Sequence, residues 1–304
     1  MPLARRSPPL HGAEGAAGET RYSRTPEPRG AGAFPRAKGA TVRLYWEVFR
    51  HGFRRYATYR AATVAGLFTN TVFGFLRAYV LVALFAATAT VGGYDLSDAL
   101  TYVFLGQGMI MTVYMWSWWE IALAIRSGDI VTDLSRPFDY QSYWLAQDLG
   151  RACYHAVFRG IPPFLVGALV FDLRLPGSPL TWLLFVASVA VAVCVSFGVR
   201  FIVNLAAFWL LDYRGVGAIS TACGTFLSGF VVPIAFFPGW LAAIAHALPF
   251  RGMIQVPIDV FLEKERGWAL VGVLAVQLAW AAALFAAGRL LLGAARRRVV
   301  VQGG

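Results

Sequence analysis

Long apolar runs separated by short polar connections dominate the chain after residue 60. A run of about 20 apolar residues with few charges predicts a helix able to cross a hydrocarbon layer about 30 Å thick. The pattern predicts six such spans, at about 61–87, 99–124, 151–171, 181–210, 216–236 and 268–292. Ahead of them, Val42, Tyr45, Trp46, Phe49, Phe53 and Tyr56 recur at helical spacing over 42–57, with Arg43, Glu47, Arg50 and Arg54 on the other side. One aromatic and one basic face predict a helix lying in the membrane interface, although the same pattern fits an amphipathic helix packed on protein.

Two segments depart from this simple alternation. The third span carries Arg151, His155 and Arg159 at i, i+4 and i+8, so the three share a face. Either they line a polar protein interior or the helix stands partly below the bilayer. Pro162 and Pro163, which can bend it there, favour the second. The segment 237–267 is apolar but interrupted by Pro238, Pro249 and Pro257, and is expected to form broken or re-entrant helices at the outer end. The expected architecture is an all-α membrane protein with six transmembrane helices, an interfacial helix before the first and a broken extracellular element between spans 5 and 6. Residues 41–298 form the ordered domain. Residues 1–40, rich in Pro, Gly, Ala and Arg, are expected to be a disordered basic tail, and 299–304 a second short tail.

Composition supports lipid as the surroundings. Of 304 residues, 58% are hydrophobic and 14% charged, against about a quarter charged in soluble domains. The net charge of +11 is concentrated, with twelve of 27 Lys/Arg in the first 60 positions and Arg296, Arg297 and Arg298 closing the last span. Basic residues favour the cytoplasmic side, so both termini are expected inside, with the chain in the cell membrane. Without a nucleic-acid-binding motif this charge does not point to a nucleic-acid partner. Arg5-Arg6 is not followed by an apolar stretch for more than 50 residues, which argues against a signal peptide. Cys153, Cys194 and Cys223 lie far apart in apolar segments, so neither a disulfide framework nor a metal site is expected.

The chemistry that is missing also narrows the function. Lys38 and Lys264 are the two lysines, and neither stands in a phosphate-binding GxxxxGK[ST] loop. No hydrolase or metalloprotease motif occurs and no span holds paired carboxylates, so a membrane enzyme and an ion-coupled carrier both lose support. No catalytic residue and no cofactor on this chain are expected.

Two stretches remain. In 121–147, Gly128 can break the helix, Asp129 stands where it could cap a new one, Asp133 follows four residues on, and Arg136-Pro137 ends the piece. This describes either a short charged helix suited to docking a cytoplasmic partner or a plain connecting loop. In 220–257, Ser220, Gly224 and Ser228 repeat the small-xxx-small spacing of close helix pairs, and Pro233 and Pro238 bracket Phe236-Phe237. This fits an aromatic gate or ordinary bundle packing.

Together these stretches resemble a known family. Gly128-Asp129, Leu134, Arg136-Pro137 and Asp139-Tyr140-Gln141 are similar to the first cytoplasmic loop of type-2 ABC exporter permeases, in the viologen-exporter-like branch. Ser228-Gly229, Pro233, Phe236-Phe237-Pro238, Leu241 and Leu248-Pro249-Phe250 are similar to the fifth-span exit of that family. The resemblance covers about 42–298, and the long amino-terminal tail departs from it. It implies a permease that works with a separate ABC ATPase, which would hold the ATP and Mg, and with a second permease, more often a relative than a second copy. Helix 42–57 would be the elbow helix. Gly128, Asp129, Asp133, Leu134, Arg136 and Pro137 would form the coupling helix against the ATPase. Ser220, Gly224 and Ser228 would pack on the partner permease, and Pro233, Phe236, Phe237 and Pro238 would close the exit.

Charges inside the spans are costly and therefore candidates for function. Arg77, Glu120 and Arg200 are of this kind, with Glu120 placed to meet a cationic substrate and Arg77 free to snorkel, pair internally or attract an anion. The aromatic spans suit an amphiphilic compound, drug-like or lipid-like, as in multidrug efflux. A secondary transporter that needs no ATPase is the alternative.

Overall fold

The computed structural model describes residues 38–114, 116, 118–210 and 212–297. The two tails expected at 1–40 and 299–304 lie almost entirely outside the described residues. Among the described residues the secondary structure is helical, with a single isolated bridge between Val91 and Tyr94. Four helices are long and apolar enough to cross a membrane: 60–85, 140–170, 179–208 and 267–296.

Helix α1 (Lys38–Ala57) begins earlier than the expected 42–57 and crosses helix α6 (Tyr140–His155) at two glycines. A Cβ on Gly52 would stand 2.2 Å from the Gln147 carbonyl oxygen, and one on Gly150 would stand 2.0 Å from that of Phe49. Backbone therefore meets backbone at this crossing, as small residues permit. The aromatic face of α1 divides between two environments. Phe53 and Tyr56 pack on Tyr154, His155 and Phe158, while Val42 and Trp46 are exposed.

Helix α2 (Arg60–Phe85) is the first apolar helix and leaves one whole face exposed, including Phe68, Phe73, Leu76 and Val80. Helix α3 (Leu96–Met109) starts with a reciprocal capping box. Asp95 accepts from the Asp98 amide at 2.8 Å, and Asp98 accepts from the Asp95 amide at 3.3 Å. A π-helical turn, Ile110–Tyr114, continues it. The chain then breaks and resumes as α4 (Glu120–Ser127). The expected uninterrupted span at 99–124 is thus two helical pieces. The third span also differs. It starts at Tyr140, capped by Asp139 on the Ser142 amide at 2.8 Å, and runs through a π turn (Ala156–Gly160) into α7 (Ile161–Val170). Pro162 and Pro163 fall in the first turn of α7, where a missing N–H is tolerated.

Helix α8 (Pro179–Leu205) is the central post. It packs along α12 (Gly267–Arg296), where Gly198 leaves room for Leu284, and Ser188 donates to the Gln277 side chain at 2.9 Å. Two buried clusters surround it. One holds Tyr94, Tyr102, Met109, Val195, Ile254, Ile258 and Phe261, and the other Ile121, Ile130, Tyr140, Phe197, Phe201 and Leu292. Helix α9 (Arg214–Leu227) is shorter than the expected span 216–236. Its 14 residues rise about 21 Å. It stops because Ser228 leads into Gly229, whose φ of +85° is left-handed. A Cβ there would meet the Tyr102 hydroxyl at 2.5 Å, which reserves the position for glycine. Short pieces follow, as expected for a broken element: a 3₁₀ turn (Ile234–Phe236), α10 (Gly239–Ala247), a 3₁₀ turn (Pro249–Met253) and α11 (Gln255–Phe261).

Candidate functional site

The end of the bundle that carries α4 holds the docking candidate. Gly128 has a φ of +85° and closes α4, as its position predicted. Helix α5 (Ile130–Ser135) follows and ends at Arg136-Pro137. Asp129 does not cap it. Its backbone is already helical, and its carboxylate instead accepts from the Ser127 hydroxyl at 2.6 Å. Ile130 is buried and Leu134 half-buried in the cluster of Tyr140, Phe197 and Phe201. Four residues apart, they are the apolar side by which α5 is held. Leu134, expected among the docking residues, thus faces its own chain. Asp129, Val131, Thr132, Ser135, Arg136 and Pro137 stay exposed, and Arg136 pairs loosely with Asp133 at 3.6 Å.

Just above lies a buried ionic triad. Asp148 on α6 accepts from Arg151 Nε at 2.7 Å and from Arg200 of α8 at 2.6 Å. All three side chains are less than a tenth exposed. Arg151 and His155 are therefore enclosed by protein, and the polar-interior alternative for the basic stripe holds for both.

Arg151 does a second job at the break in the second span. Its guanidinium donates to the Met111 and Thr112 carbonyls, in the π-helical turn that leads into the break. On the other side of the break, Asn204 of α8 accepts from the Ala122 amide at 3.0 Å and donates to the Trp118 carbonyl at 2.6 Å. A backbone break at membrane depth survives when its freed groups find partners in the protein. Here one Arg and one Asn supply them from other helices. A cavity of about 20 Å³ beside the triad, lined by Arg55, Glu120, Trp118 and Trp144 among others, has room for about one water. It is far below the 300 Å³ or more of an ordinary ligand pocket.

The other charges singled out in the spans also have partners. Glu120 binds Arg55 of α1 at 2.7 Å and so ties α1 to α4. Arg77 donates to the Phe230 and Val231 carbonyls just beyond α9 and lies over the Phe230 ring at 4.8 Å. Of the three roles open to Arg77, this is internal pairing.

At the opposite end, Gln255 of α11 is the hub of a buried network. Its carbonyl oxygen accepts from the Tyr102 hydroxyl at 2.7 Å and the Ile234 amide at 2.9 Å. Its amide nitrogen donates to Asp259 at 2.7 Å and to the Tyr94 hydroxyl at 3.0 Å. The gate residues diverge around it. Pro233 is buried, Phe236 packs edge-on against Tyr94, Phe237 stacks on Phe226 of α9, and Pro238 is exposed. They do not form one plug in this conformation. Of the small-residue stripe, Ser220 is half-buried, whereas Gly224 and Ser228 are buried within the chain and not open to a partner. The Ser228 carbonyl is occupied by the Gln255 amide at 3.0 Å.

Sequence reasoning passed over Asp148, Asn204, Gln255 and Asp259. The i, i+3 spacing of Asp148 and Arg151 was a visible signal for the first. The other three act across 21 to 165 residues of chain, and no local pattern marks them.

Residues 70–303 match the family described as ABC-2 family transporter protein. No curated protein and no solved structure matches the chain. The match spans well over half of the sequence, and the chain belongs to this family. It is a multi-pass membrane protein of the type-2 ABC permease class, a transport component rather than an enzyme in itself. Permeases of this family generally work with an ABC ATPase.

Proposed function

We propose that this chain is the membrane-spanning permease subunit of an ATP-driven exporter of an amphiphilic compound, drug-like or lipid-like. ATP and Mg are bound by a separate ABC ATPase. The observation that carries this is α5, a short helix bolted to the bundle by Ile130 and Leu134 with its polar side turned outward. A buried hydrogen bond joins its neighbour α4 to α8 and a buried ion pair joins α6 to α8, so a push on α5 is passed into the bundle. Asp129, Asp133, Arg136 and Pro137, together with Gly128, present the face for the ATPase. Closing of the ATPases around ATP then favours one of two permease states.

On this reading α3 with α4 is the bent second span and α9 the short fifth, giving six spans with both termini in the cytoplasm. Helix α1 is the elbow helix, with Val42 and Trp46 in lipid. A second permease, more plausibly a relative than a copy, packs on the exposed faces of α2 and α9, where Ile219 and Phe226 stand beside the half-buried Ser220. Cavities of about 10, 20 and 170 Å³, each smaller than an ordinary ligand pocket, support a pathway between two permeases rather than inside one. Phe236, Phe237 and the two prolines close its outer end. The viologen-exporter-like branch is supported by the motifs at 128–141 and 228–250.

The test is transport in vesicles containing this chain, its ATPase and its partner permease. Export driven by ATP and abolished by a phosphate-loop mutation in the ATPase supports the reading. Equal transport by this chain alone, without ATP, overturns it in favour of a secondary transporter.

A further inference from the structure

A charge in the apolar depth of a bundle needs a partner. Arg77, Arg151 and Arg200 each have one within the chain. Arg159 has neither a hydrogen-bond nor an ion-pair partner among the described residues, and its Nε is buried and unsatisfied. One turn earlier His155 is 3% exposed, and both of its ring nitrogens lack a partner. A buried donor left unmade costs about 1–3 kcal/mol, more when charged. Arg159, always a donor, thus carries an unfilled demand for an acceptor.

The backbone is shaped for this. Arg159 lies in the π turn between α6 and α7, a distortion that recurs at functional sites. Its guanidinium rests in a notch of α2 made by Gly66, where an added Cβ would stand 2.0 Å from Nη2. Gly66 is six residues into α2, about 9 Å from its start, on the same end of the bundle as basic α1. Near Gly66 and Arg159 in sequence, Val64, Val157, Phe158 and Ile161 are exposed and apolar, so both elements carry an apolar rim at this level. A water-borne anion would have to cross that apolar rim, whereas a lipid headgroup arrives with its chains already in it.

We propose that Arg159, seated over the Gly66 notch with His155 behind it, binds the phosphate headgroup of an anionic phospholipid, between α2 and the π turn. Basic pockets between helices near the cytoplasmic surface hold such headgroups through charge-assisted hydrogen bonds. The lipid accepts from the Arg159 guanidinium and leaves its chains along the exposed face of α2. The placement of this face in lipid rests on the permease reading above.

The experiment counts lipids retained by the purified full chain in native mass spectrometry, with phosphatidylglycerol and phosphatidylcholine offered together. Wild type is expected to keep phosphatidylglycerol preferentially. Arg159→Gln and Gly66→Ala are expected to weaken that retention about tenfold, the loss of one charge-assisted bond. Gly66→Ala only displaces the flexible end of Arg159, so it stays informative if Arg159→Gln folds poorly. Arg289→Gln, on α12 where it pairs with Asp139 at the start of α6, is expected to retain the lipid, and added inorganic phosphate is expected not to displace it. Unchanged retention in Gly66→Ala, no preference in wild type, or displacement by inorganic phosphate overturns the proposal. ATPase copurification on the same samples separates the two readings. Its absence would count against the permease role and leave the lipid count intact.

Discussion

Replacing Asp148 by Asn keeps the shape of the side chain and removes the charge shared by Arg151 and Arg200. At 2.6–2.7 Å and an effective dielectric of about 20, each attraction is worth about 6 kcal/mol before desolvation. Most of that is offset by burying three ions. Breaking one partner of such a pair nevertheless costs about 3–5 kcal/mol, because the remaining charges stay buried. Asn still accepts a hydrogen bond, which places Asp148→Asn near the lower end, about 3 kcal/mol. Arg151 keeps its bonds to Met111 and Thr112 in this variant, so the break in the second span is not itself disturbed. The assay is reversible unfolding of the purified chain in mixed micelles, followed by the fluorescence of its tryptophans, two of which, Trp118 and Trp144, line the adjoining cavity. A cycle with Arg200→Gln isolates the pair, and the double variant should fall short of the additive loss by about 1.5 kcal/mol or more. Asp148→Asn within about 0.5 kcal/mol of wild type, or strict additivity, would show that the triad is not a stabilising contact and refute the reasoning.

Three further outcomes follow from other contacts. Gly150→Val drives methyl groups into the Phe49 carbonyl, so α1 should detach from α6 and become cleavable by protease while α8 and α12 stay protected. Cleavage unchanged from wild type would contradict the crossing. Glu120→Gln loses a partly exposed ion pair with Arg55, and should lower stability by about 1 kcal/mol or less with transport of a cationic compound retained. A selective loss of cation transport would return Glu120 to the pathway. Gln255→Leu strands the Ile234 amide and takes one partner each from Tyr94, Tyr102 and Asp259, and should destabilise by about 2 kcal/mol or more, read as faster hydrogen exchange across 229–262. Unchanged exchange would remove Gln255 as the hub.

The long apolar helices were legible because hydropathy over 20 residues reports burial in either lipid or protein. So were Gly128 and Arg136-Pro137, whose effects are local. The break in the second span was not. Trp116, Trp118 and Trp119 are as apolar as a continuous helix, and what holds the break open, Arg151 and Asn204, comes from other helices. The start of the third span was missed for the opposite reason. Residues 140–150 are polar, yet Tyr140, Gln141 and Asp148 are buried against α8 and α12, where hydropathy alone reads a loop. The Ser220, Gly224, Ser228 stripe marks small residues, two of which are buried, but the pattern carries no record of which chain the neighbour belongs to.

The central claim is that α5 docks on an ABC ATPase. Single cysteines at Thr132, on its exposed side, and at Ile130, on its buried side, can be crosslinked in membranes containing the ATPase. The account predicts a crosslink to the ATPase from Thr132 and none from Ile130, with the Thr132 yield changing when ATP is bound. No crosslink from Thr132, in a chain that still transports, would contradict it.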